Sequence, residues 1–162
     1  MTAARIGLGL AALLLAADAP ALPIDQVIAA ERAFAEDGLA HGINVSFPRH
    51  AAPDAIIFAP GPVNVRERFA GRAPEAQNPG LDWWPVFAGA ARSGDLGFTT
   101  GPYALQGTVS GYYFTVWRRQ PDGSWQWIFD GGGEASVDQA PAKGSPVARL
   151  APSAGHAASA EA

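Results

Sequence analysis

The sequence predicts an α+β fold, in which helices pack across one face of a bent antiparallel sheet and leave a cavity. Three observations predict it. Residues 23–39 repeat apolar side chains at helical spacing. Residues 112–118 alternate with a period of two. Gln120-Pro121-Asp122-Gly123-Ser124 then reads as a hairpin loop leading into a partner strand over 125–130.

The N-terminus reads as a secretory signal peptide over residues 1–19. Arg5 supplies the positive charge, residues 6–17 are apolar, and Ala17-Asp18-Ala19 offers small residues at cleavage spacing. The apolar run is short for a bilayer span. The expectation is a periplasmic or secreted protein whose mature chain does not insert into a membrane. Beyond the leader, the folded domain is read over 23–137. The segment 140–162 is Ala, Pro, Ser and Gly with scattered charge, and reads as a disordered tail.

Within the domain, Ile24, Val27, Ile28, Phe34 and Ala35 form one helical stripe, which Gly38 or Gly42 ends. Residues 41–53 read as a loop with a helical turn around Phe47. Residues 55–59 read as a strand, and 63–69 as a returning strand or a helical turn. Residues 81–91 carry Trp83, Trp84, Phe87 and Ala88 and read as a second long helix. A strand follows over 96–105, bent at Gly97 or at Gly101-Pro102. Along 112–118, Tyr113, Thr115 and Trp117 share one face and Tyr112, Phe114 and Val116 the other. Both faces are apolar, so both are expected to be covered.

Composition narrows the function. The chain has no cysteine, which removes thiolate catalysis, Cys-ligated metals and disulfides. Its formal charge of −4 and the lack of a basic face argue against nucleic acid. Arg66, Arg68 and Arg72, like Arg118 and Arg119, read as solvated faces. His41 and His50 have no metal spacing, and no nucleotide or nucleophile-elbow motif is present. No cofactor or metal is expected.

Three carboxylates are candidates for chemistry. Asp95 stands at the mouth of a strand, where it suits a general base, or a cap on the turn at Gly94. Asp130 ends the last strand. It either shares a cavity with Asp95, which would split their pKa values, or bonds loop amides. On a plain alternation it shares a face with Gln126 and Ile128, opposite Trp125, Trp127 and Phe129. Glu31 falls inside the apolar stripe, where it needs a partner such as a tyrosine or a tryptophan N–H, or lines a pocket. Tyr113 or Tyr103 suits a hydrogen-bond donor to a developing oxyanion. Trp83, Trp84, Tyr103 and Trp117 suit the wall of a pocket for an apolar or aromatic small molecule, or the core itself.

The order of these pieces carries a resemblance. The helix with Glu31 and Phe34, Asp54-Ala55-Ile56-Ile57-Phe58, Trp83-Trp84, Gly94-Asp95-Leu96-Gly97-Phe98-Thr99-Thr100-Gly101-Pro102, Tyr113-Phe114-Thr115-Val116-Trp117 and Trp125-Gln126-Trp127-Ile128-Phe129-Asp130 resemble the DUF4440 group. That group belongs to the NTF2-like, SnoaL-like (ketosteroid isomerase-like) superfamily. The resemblance implies a cone-shaped barrel, a ligand cavity and a homodimer formed through the outer sheet face. It implies either isomerase or dehydratase (lyase) chemistry in the cavity, or a non-catalytic exported binding or accessory module.

Overall fold

The computed structural model describes residues 21–58, 60–75, 80–135 and 139–150. The leader read over 1–19 and residues 151–162 of the tail lie outside the described residues. Among the described residues, no helix is long and apolar enough to cross a membrane.

Helix α1 (Pro23–His41) starts with Pro23 in its first turn, where the missing N–H has no intrahelical partner to lose. It buries Val27, Ile28, Glu31, Phe34, Ala35 and Gly38 along one stripe. Gly42 ends it at a φ of 78°, a left-handed conformation that favours glycine, and donates its N–H to Gly38 at 3.0 Å. Helix α2 (Ile43–His50) follows at once, in the stretch expected to be a loop, and seats Phe47 against Phe34.

The strands are β1 (Ala51–Phe58), β2 (Pro62–Asn64), β3 (Leu81–Trp83), β4 (Phe87–Ala90), β5 (Leu96–Leu105), β6 (Thr108–Arg119), β7 (Trp125–Glu134) and β8 (Ala148–Leu150). Helix α3 (Val65–Phe69) continues directly from β2, capped by the Asn64 side chain on the Arg66 N–H. The spatial order is β2-β1-β7-β6-β5-β4-β8, with β3 also on β5.

Two expectations about the sheet are corrected. It is not closed into a cone-shaped barrel: it ends at β2 and β8, three residues each, on opposite sides. Nor is it wholly antiparallel, since β1 runs parallel to β7 and β8 parallel to β4. The first parallel pair arises because α2 delivers the chain to β1 at the end where the 120–124 loop delivers it to β7.

The second long helix is absent. Residues 81–91 form β3 and β4, laid end to end along the same edge of β5. Pro85 interrupts the apolar run, and in a helix interior it would remove a backbone hydrogen bond and clash with the preceding turn, at a cost of roughly 3 kcal/mol. The outer face of β6 is also open rather than covered: Tyr112 is 38% and Phe114 43% exposed in the single chain.

The stretch beyond 137 holds order that its composition does not announce. Residues 148–150 pair with β4, and Val147 is buried with Ile28 and Ala88. Lys143 pairs with Asp82 at 2.7 Å, and Arg149 with Asp25 at 2.8 Å. On the inner face, Phe34 meets Phe47, Trp83, Trp117 and Trp127 within 6.2 Å between ring centres. A fully buried phenylalanine contributes roughly 2–3 kcal/mol through the area it removes from water.

Candidate functional site

A row of inward residues crosses the sheet at one level: Ala88, Thr99, Thr115, Asp130 and Ile57, each opposite the next. All five are buried. The polar members have different partners, and that difference defines the site.

Glu31 reaches the sheet from the middle of α1. Its Oε1 accepts the Trp83 indole N–H at 2.7 Å. Its Oε2 accepts the Trp117 indole N–H at 3.1 Å and the Thr99 hydroxyl. Burial pushes its pKa up, and these donors oppose the shift. An indole N–H can only donate, so the carboxyl answers donors from β3, β5 and β6 at once. Trp83 lies close over the helix because residue 38 is glycine: a Cβ there would stand 2.6 Å from its ring. Glu31 therefore ties α1 to the sheet.

Asp130 has fewer partners. The Thr115 hydroxyl donates to Oδ1 at 2.7 Å, and among the described residues no donor reaches the other oxygen. Burial raises its pKa to about 7; the Thr115 hydrogen bond lowers it and the charge of Glu31 raises it further. Asp130 opens onto a cavity of about 270 Å³. Ile57, Phe47, Phe69, Trp83, Tyr103 and Tyr113 give it an apolar and aromatic wall. Gly132 leaves room on the same face as Asp130, where a Cβ would stand 3.5 Å from the Tyr103 ring. Asp130 is the one carboxylate among the described lining residues, and Arg68 the one cation.

Tyr113 lies two residues from Thr115 on the same face of β6. It is a diagonal neighbour of Asp130, at a spacing of ~7–8 Å for such pairs. Its hydroxyl is buried beside Thr99, with no hydrogen bond of ordinary geometry among the described residues. Burial first, then the charge of Glu31 and last that of Asp130, hold its pKa above the ordinary tyrosine value, against the opposing hydrogen bond with Thr99. The phenol thus keeps its proton and stays a donor.

The residues expected at the site divide three ways. Tyr113, Asp130, Trp83 and Tyr103 line the cavity. Glu31 and Trp117 lie behind its wall, fully buried and bonded to each other, so neither serves as a pocket surface. Asp95 and Trp84 are elsewhere. Asp95 is exposed in the turn between β4 and β5, where Gly94 reverses the chain at a φ of 75° and the Ser93 hydroxyl donates to its carboxylate. It borders a shallow surface with Arg119 and Gln120, and it does not face Asp130 across the cavity. Trp84 turns to the α1 side and donates to the Pro141 carbonyl at 2.9 Å.

Arg68, Phe69 and Thr115's service to Asp130 were not read from the sequence. The alternation along 112–118 does place Thr115 beside Tyr113, and that is the signal that could have found it. Among the described residues, no cluster of three or more His, Cys, Asp or Glu side chains could hold a metal ion.

No family model matches the chain, and no curated protein does. Solved structures do. A candidate ketosteroid isomerase from Parabacteroides distasonis aligns with a TM-score of 0.50 at 20% identity, over 65% of this chain and 86% of its own. One from Shewanella frigidimarina aligns at 0.48 and 18% identity, over 65% and 92%. A candidate aromatic ring hydroxylase from Novosphingobium aromaticivorans aligns at 0.47 and 13% identity, over 67% and 86%. At these identities the likeness concerns the fold alone. Helices on one face of a mixed sheet, with an apolar hollow between them, are the fold this chain shares with the Parabacteroides distasonis structure.

Proposed function

We propose that the protein binds an apolar small molecule in the Asp130 cavity and moves a proton within it, as a cofactor-independent isomerase or dehydratase does. One observation carries this reading. Asp130 is the one carboxylate among the described residues lining an apolar cavity, and burial brings its pKa to about 7. A base with that pKa is about half ionised at neutral pH and still strong enough to accept a proton.

The chemistry balances without a further reagent. Asp130 takes a proton from the carbon next to a carbonyl. The C–H electron pair becomes a C=C bond, and the carbonyl oxygen gains the negative charge. Tyr113 lines the cavity and keeps its proton, and its hydroxyl, turned from Thr99 toward the cavity, hydrogen-bonds that oxygen. Asp130 then returns the proton to another carbon, which isomerises the molecule. Alternatively it gives the proton to a departing hydroxyl, which dehydrates it.

The test needs no natural substrate. The 13Cγ signal of Asp130 should titrate near pH 7, and cyclohex-3-enone should conjugate to cyclohex-2-enone in the wild type but about 100-fold more slowly in Asp130→Asn. A titration in the ordinary carboxylate range, or equal turnover by the variant, would end the proton-transfer reading.

Membership of the DUF4440 group belongs to the same proposal and is supported by the ordered residues from Glu31 to Asp130. So does export, which rests on the leader pattern over 1–19. A homodimer through the outer sheet is supported by Phe58, Phe87, Tyr112 and Phe114, all at least 38% exposed, and by the stacking of Phe98 on Phe114. Light scattering should give twice the chain mass, and Phe114→Glu should halve it.

A further inference from the structure

We propose that the molecule this cavity takes carries an anionic group, a carboxylate in the first instance, which pairs with Arg68 at the rim while its apolar body extends toward Asp130. The inference rests on the cavity being a binding site, and not on proton transfer.

Arg68 is half-buried and lines the cavity. Its guanidinium carbon stands 5.8 Å from the centre of the Phe69 ring, and that of Arg72 stands 5.9 Å from the same centre. The ring face attracts each cation, but two like charges on one ring repel each other. Nothing among the described residues neutralises them, because the ion pairs there use other cations. Glu67, on the same helix, is exposed and makes no ion pair with either arginine, and three other acids have partners of their own. Glu75 accepts the Asn44 backbone N–H at 3.0 and 3.1 Å, Asp54 pairs with Arg118, and Asp82 pairs with Lys143.

A half-buried guanidinium on an apolar wall has surrendered part of its hydration without a counter-charge in return. Its planar fork matches a carboxylate, which can accept two hydrogen bonds from it. The protein as a whole repels anions, with a net charge of −4, so any preference must come from this local pair. The cavity lining then holds two unlike polar groups, a half-buried cation and a buried acid of raised pKa. That polarity selects a molecule with a charged head and a ketone or alcohol near its other end.

The test uses 2-naphthoate and 2-naphthamide, which share a shape and differ in charge, titrated by calorimetry into wild type, Arg68→Gln and Arg66→Gln. Arg66 is exposed on the same helix and does not line the cavity, so it controls for general charge loss. Arg68→Gln should weaken naphthoate about tenfold, leave naphthamide within about twofold, and Arg66→Gln should change neither. Equal weakening by Arg66→Gln, or no effect of Arg68→Gln on naphthoate, overturns the role of Arg68 and leaves the cavity standing. Failure of both ligands to bind the wild type removes the binding site, and Arg68's part in it too.

Discussion

Thr115 donates its hydroxyl to Asp130 at 2.7 Å from the position directly opposite on the neighbouring strand. Burial drives the carboxyl toward its neutral form, and this one hydrogen bond favours the charged form. The balance leaves Asp130 at about 7.

Thr115→Val should therefore shift the titration of Asp130 to higher pH, because the variant keeps the burial and loses the donor. A removed charge-assisted hydrogen bond is worth roughly 1–2 pKa units in such a site. The 13Cγ shift of Asp130 followed against pH measures it directly. A downward shift would mean that the hydroxyl does not act as donor to the charged form.

Stability should depend on pH through the same group. In the unfolded chain Asp130 titrates near 3.8, in the folded one near 7. Between those values the folded protein holds the extra proton, so Asp130's contribution falls as pH rises from about 4 to about 7 and stays flat above. Asp130→Asn removes that slope. Urea denaturation should find the variant close to wild type at pH 4 and more stable by a few kcal/mol at pH 8. An unchanged difference across that range would contradict a neutral folded-state Asp130.

Replacing Glu31 should destabilise the fold, because this carboxyl is structural. Glu31→Leu would leave two indole N–H groups and a buried hydroxyl with one acceptor fewer, at a cost of about 3–5 kcal/mol. Glu31→Gln keeps one acceptor oxygen and can donate to Thr99, so its cost should be about 1–2 kcal/mol. Chemical denaturation orders the variants, and a Leu variant as stable as wild type would show that the donors find other partners.

The stripe from Val27 to Ala35 was legible because one helix face meets one sheet, with nothing to interrupt the period. Tyr113, Thr115 and Trp117 were legible for the same reason on β6. Residues 81–91 misread as a helix because their aromatic density outweighed Pro85, whose missing N–H and ring clash make a helix interior costly. Asp130 was placed with Gln126 and Ile128 because strict alternation was assumed. The ladder between β6 and β7 shifts at Val116 and Trp117, so that Trp117 faces Trp127 while Val116 faces Phe129. Ile128 is the extra residue, and Trp127 and Asp130 both point inward although three positions apart. Such a bulge leaves no trace in composition. Arg68 looked like part of a solvated cluster, since only the Asn64 cap and the short α3 turn it toward the cavity. Asp95 drew attention by its neighbours, yet a turn commonly bonds such a side chain to itself.

The placement of β8 beside β4 has a bearing on how copies of this chain behave at high concentration. An outermost strand ordinarily offers unmatched N–H and C=O groups to any strand that drifts past. Here β8 covers β4, with the Ala148 N–H donating to the Val86 carbonyl at 2.9 Å, and becomes the outermost strand itself, but it offers a rim only three residues long. The opposite rim is three residues long and opens with Pro62, which has no N–H to give. Neither side invites edge-on growth into fibres.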